Sequence, residues 1–130
     1  MRKEQIDPKI YPIIEKMNKK GLVTADSCAS MGERRSYSGR VLGKRHGGWF
    51  YPYVSISYPE SNQELLNELV EKCEKDRKYF QITRGFEVGN HDKQTSVMIC
   101  FNKVKPHRNA SLMPKRKEWL RRLEENVDGL

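Results

Sequence analysis

Thr24, Asp26, Ser27 and Cys28 bring two hydroxyls, a carboxylate and a thiol together, and a stretch dense in arginine and glycine follows almost at once. A cysteine beside Arg34 and Arg35 has a route to a lowered pKa and to nucleophilic reactivity. The competing role for Cys28 is that of a small apolar filler, common for this residue. No histidine stands next to it in sequence to act as its base, which leaves His46 and His91 as candidates through space. On a regular strand, alternation puts Thr24 and Cys28 on one face and Ser27 on the other.

The stretch from Arg34 to Trp49 holds Arg34, Arg35, Tyr37, Arg40, Lys44, Arg45, His46 and Trp49, with Gly39, Gly43, Gly47 and Gly48 among them. Glycines let a backbone approach an anion, arginines offer forked donors to phosphate, and aromatic rings stack on bases. This is the candidate ligand-binding segment, with Thr24 and Ser27 at its root. No phosphate-loop or dinucleotide signature is present, so no mononucleotide geometry is specified. Two further cations join the candidate set: Arg84, on a predicted strand beside Gly85, and Lys115. His91-Asp92 sits in a predicted turn, where asparagine, aspartate and glycine are favoured on backbone grounds alone. The three cysteines and three histidines show no pair at metal-ligand spacing, and no metal site or cofactor is expected from them.

The elements that must position these residues can be read from periodicity. Asp7-Pro8 suits a helix start, and Ile10, Ile13, Ile14 and Met17 form one buried face before Gly21 stops the helix. Pro12 falls within the first turn and can delay that start. Leu22 to Cys28 is a strand candidate, and Trp49 to Tyr58 alternates as a half-buried strand restricted early by Pro52. Ser61-Asn62-Gln63-Glu64 reads as a capping box in front of a helix that buries Leu65, Leu66, Leu69, Val70 and Cys73. Strands are predicted over Tyr79 to Val88 and Thr95 to Phe101, with Gly89-Asn90-His91-Asp92 as their turn. Pro114 opens a last helix that buries Trp119, Leu120, Leu123 and Val127 and has a cationic opposite side.

The resulting order, α-β-β-α-β-β-α, predicts an α+β two-layer sandwich with an antiparallel or mixed sheet and helices on one face. One domain spans 1–130, with a basic flexible loop at 31–48, a basic linker at 103–112 and the C-terminal helix at 113–127. The net charge of +8 is regional. Residues 33–48 and 103–122 hold thirteen lysines and arginines against two acids, a net of +11 that leaves −3 elsewhere. Such localisation is the footprint of a polyanion binder. An odd count of scattered cysteines argues against a disulfide framework, and no apolar run is long enough to cross a membrane. The expected location is cytoplasmic.

The stretch Asn18-x-x-Gly21-x-x-Thr24-x-x-Ser27-Cys28, with Pro52-Tyr53-Val54-Ser55-Ile56 further on, resembles a family of small bacterial and bacteriophage proteins. Their pattern is a helix, then N-x-x-G-x-x-T-x-x-S-C-x-G-H, then a Pro-Tyr-Ile-x-Phe strand. More remotely, Thr24-x-x-Ser27-Cys28 is similar to a segment of tRNA wybutosine-synthesis methyltransferases, which implies a tRNA-modifying transferase. Ser30-Met31 stand at the Gly-His positions of the pattern. Gly21 to Cys28 is also similar to the LAGLIDADG helix of homing endonucleases, which share this element order and are basic. That likeness implies DNA cleavage with Asp26 holding a magnesium ion and Lys115, in Leu112-x-x-Lys115-x-Lys117, stabilising charge at the phosphate. In either case the expected partner is RNA, DNA or a phosphate-containing nucleotide, without a membrane, and a homodimer is an expected assembly. A phage-borne role on host or defence nucleic acids or nucleotides is implied by the first resemblance alone.

Overall fold

The computed structural model describes residues 9–28, 34–35, 41–43, 52–102 and 109–130, with the side chains of 28, 34–35, 41–43 and 109–113 left aside. Helix α1 (Tyr11–Lys20) leads into strand β1 (Val23–Cys28). Two short strands, β2 (Arg34–Arg35) and β3 (Val41–Gly43), pair with each other in a separate antiparallel ribbon. Strand β4 (Tyr53–Ser57), helix α2 (Gln63–Glu74), strands β5 (Phe80–Glu87) and β6 (Asn90–Phe101) and helix α3 (Asn109–Asp128) complete the chain. The main sheet is fully antiparallel in the order β1-β4-β6-β5. Apart from the small ribbon, the order is the α-β-β-α-β-β-α of an α+β sandwich. Each half is a helix followed by a strand pair, and the inner strands β4 and β6 join the halves.

Alternation along the strands sets the two faces of this sheet. Val54, Ile56, Val97, Ile99, Phe101 and Phe80 are buried on one face. Against them lie Ile13, Ile14 and Met17 of α1, Leu66, Leu69 and Val70 of α2, and Trp119 and Leu123 of α3. The other face carries Ser55, Ser57, Ser96, Met98 and Cys100, all half-buried. Cys100 is therefore on the face away from the core, by its parity with Tyr53 and Gln81, although it sits in an apolar run. Among the described residues no helix is long and apolar enough to cross a membrane.

The α1–β1 corner is built by five residues. Gly21 caps α1 at φ +102°, a left-handed conformation that glycine adopts without the Cβ penalty, and the Leu22 N–H returns to the Met17 carbonyl. The Asn18 side chain then accepts from both the backbone N–H and the hydroxyl of Thr24, at 3.4 and 3.3 Å. The helix begins at Tyr11 with Pro12 in its first turn and no side-chain cap at Ile10, so the delayed start holds; Asp7 and Pro8 lie outside the described residues.

Three predicted boundaries shift. The cap of α2 is Asn62, whose side chain accepts from the Leu65 N–H, and not Ser61. Ser61 instead accepts from the Val23 N–H at 2.9 Å and donates to the Ser57 carbonyl, joining the start of β1 to the end of β4. Ser61→Ala is therefore expected to cost about 2 kcal/mol, because a part-buried N–H loses its acceptor and a carbonyl its donor. Loss of the Asn62 cap should cost only about 1 kcal/mol. Urea unfolding of the two variants checks the ranking, and a larger loss for Asn62→Ala would contradict it. The β5–β6 turn is Val88-Gly89, with Gly89 at φ +81°, so His91 and Asp92 belong to β6. Helix α3 starts at Asn109, with Pro114 inside it.

Candidate functional site

The root of the arginine-rich segment is a corner of the sheet. Cys28 pairs with Tyr53 at the last rung of the β1–β4 ladder, so residues 29–52 leave and return at adjacent backbone positions. Within them the β2–β3 ribbon sets Arg34 opposite Gly43 and Arg35 opposite Val41, with a bulge between. Tyr37, Arg40, Lys44, Arg45, His46 and Trp49 lie outside the described residues.

Strand β1 is not regular, and that changes which side chains share a face. Thr24 pairs with Ile56, but Asp26 pairs with Ser55, which leaves Ala25 as an extra residue. A bulge of one residue reverses the parity of everything after it. Thr24 and Ser27 therefore both face the core, at 6% and 8% exposure, beside the buried Ile56 and Val54. This overturns the expectation that Thr24 and Ser27 point oppositely. The Thr24 hydroxyl is spent on Asn18, and the Ser27 hydroxyl is buried with no hydrogen-bond partner among the described residues. Neither is presented to a ligand on the open face. Most of the N-x-x-G-x-x-T pattern is thus explained by folding: Asn18, Gly21 and Thr24 are the pieces of one helix-to-strand corner.

Asp26 is the residue that the bulge turns outward. It is exposed, its Oδ1 accepts from the Ser27 N–H and its Oδ2 from the Tyr53 hydroxyl, both at 2.8 Å. Asp26 lies on a strand and not at the end of a helix, since α1 stops at Lys20. A magnesium site needs several oxygen ligands. Among the described residues no three His, Cys, Asp or Glu side chains gather closely enough to hold a metal ion. One carboxylate already engaged by two donors does not make such a site.

The remaining predicted positions separate. Arg84 lies on the helix-side parity of the edge strand β5 and forms an ion pair with Glu74 at 3.3 Å. Lys115 is half-buried on α3, next to the buried Arg116. His91 and Asp92, consecutive on an exposed strand, project to opposite faces. The other thiols are held as neutral groups: burial pushes the Cys73 thiol up to about 12, and Cys100 is raised by the same cause.

The side of α3 away from the core is charge-balanced rather than cationic. Arg121 bonds to Glu118 and Glu125, while Arg122 reaches Glu118 at 2.9 Å and Asp76 at 2.7 Å. Arg122 also lies 4.3 Å from the centre of the Tyr79 ring. The hydrogen bond from Arg121, with that from Arg122, outweighs partial burial and holds the Glu118 carboxyl down at about 2. Arg121 and Arg122 therefore serve the fold.

Sequence reasoning missed the Tyr53 hydroxyl, which meets Asp26 across 27 positions of sequence. The alternation of β4 marked Tyr53 as outward-facing, but only the bulge in β1 brings Asp26 to the same side. Compared with protein-family models, curated proteins and solved structures, the chain gives no significant match to any of them.

Proposed function

We propose that this is a cytoplasmic nucleic-acid- or nucleotide-binding protein in which the basic segment between β1 and β4 grips phosphates. The observation that supports the reading most directly is the pairing of Cys28 with Tyr53, which roots that segment at one corner of the rigid sheet. Five lysines and arginines, with Glu33 as the sole acid, fall in residues 33–48. The sheet at that root is braced by a single core. Asp26 and Tyr53 stand beside its root on the outward face, where the phenol can contact a ribose or base edge.

Fluorescence anisotropy with labelled twelve-nucleotide RNA and single-stranded DNA tests this. Five single-strand phosphate contacts predict a loss of about a hundredfold in affinity between 50 and 200 mM salt, from counterion release. Absence of binding at 50 mM salt, or binding indifferent to salt, would sink the reading.

A further inference from the structure

We propose that the groove between the end of α2 and the edge strand β5 is a second phosphate-binding site, separate from the segment between β1 and β4. It encloses about 310 Å³ and is lined by Glu74, Arg77, Phe80, Ile82, Arg84 and Asn102. That volume is at the lower end of the range for small-ligand pockets. Among the described residues no strand flanks β5 on its outer side, which makes the groove part of the sheet edge.

The lining has the parts that a phosphate ester needs. Phe80 and Ile82 make an apolar floor, buried and half-buried, which lowers screening on one side of any charge above it. Arg77 and Arg84 supply two guanidinium forks, the geometry that pairs with phosphate through parallel hydrogen bonds. The turn that carries Arg77 is fixed, because the Asn102 side chain donates to the Arg77 carbonyl and the Asn102 N–H donates to the Tyr79 carbonyl at 2.8 Å. Arg84 reaches the Glu74 carboxylate at 3.3 Å, with the two side chains 44% and 49% exposed. An ion pair so open to water is weak. Glu74 therefore acts as a stand-in anion that holds the Arg84 fork over the groove and yields it to a more highly charged ligand. A phosphate with charge near −2 competes better for two forks than one carboxylate does for one. The ester is either the terminal phosphate of a free nucleotide, which carries that charge on one group, or a polynucleotide backbone, which offers successive singly charged phosphates to the two forks.

The full chain, followed by amide NMR, can be titrated with pyrophosphate, with ADP and with a twelve-residue oligothymidylate. Pyrophosphate should move the amides of Arg77, Arg84 and Asn102. Arg77→Gln with Arg84→Gln should weaken binding at least tenfold, whereas Glu74→Gln should tighten it severalfold by releasing the Arg84 fork. Tighter saturation by ADP than by the oligonucleotide identifies a free nucleotide as the source, and the reverse identifies a backbone. Arg34→Ala with Arg35→Ala should leave the pyrophosphate shifts at the groove intact. The proposal is overturned if pyrophosphate leaves the groove amides unmoved, if Glu74→Gln weakens binding, or if loss of Arg34 and Arg35 abolishes the shifts.

Discussion

Replacing Trp119 with alanine is expected to destabilise the protein by about 3–5 kcal/mol, the usual cost of truncating a large buried aromatic. The side chain is fully buried, and its ring centre lies 5.5 Å from that of Phe80 at a tilt of 48°. Phe80 begins β5 and Trp119 sits on α3, so this pair ties the last helix to the edge strand. An alanine there would leave a void under both. Against a typical stability of about 5–15 kcal/mol for a single domain, the loss is a large fraction. It should appear as a fall in Tm on the order of 10–20 °C. The indole N–H has no hydrogen-bond partner among the described residues. Trp119→Phe should then be much milder than Trp119→Ala, because it keeps a ring and removes an unpaired donor. Thermal and urea unfolding of the two variants would refute this account if Trp119→Ala cost less than about 1 kcal/mol or if both variants lost equally.

Where periodicity is long, the chain discloses its fold directly. Ile13, Ile14 and Met17, the Leu66–Cys73 face and the Trp119–Val127 face are buried as their spacing predicts, and Val54 and Ile56 alternate with Tyr53, Ser55 and Ser57. Single-residue decisions are hidden. Ala25 carries no mark of a bulge, yet it reverses the parity of Asp26 and Ser27 and so decides which of them faces outward. Ser61 and Asn62 are both good caps, and only the approach of Val23 and Ser57 selects between them. Pro114 suits the first turn of a helix. The five residues before it nevertheless continue the helical backbone, which no local signal announces. The charge of α3 misleads for another reason. Arg121 and Arg122 look like a basic face until Glu118 and Glu125, and Asp76 from the turn after α2, are placed against them. Neutralisation across 46 positions of sequence cannot be seen in a run of letters.

Arg34 and Arg35 lie in the basic segment between β1 and β4. Among the described residues their backbones pair within the β2–β3 ribbon, a sheet separate from the main one. Arg34→Ala with Arg35→Ala should therefore leave thermal unfolding unchanged while weakening oligonucleotide binding. Each lost single-strand phosphate contact lowers the slope of log affinity against log salt by about 0.7, so the pair should lower it by about 1.4. At 0.1 M salt that change in slope corresponds to a loss of about 25-fold, or about 2 kcal/mol. Asp26→Asn is the informative companion. It keeps an acceptor for the Ser27 N–H, makes the Tyr53 hydroxyl accept from the new amide where it had donated to the carboxylate, removes one negative charge beside the root of the basic segment, and should leave affinity the same or slightly tighter. If the two arginines change neither slope nor affinity, the polyanion is held elsewhere and the basic segment is a solvated surface. If Asp26→Asn instead abolishes binding, the carboxylate is itself a ligand group and the basic segment is secondary to it.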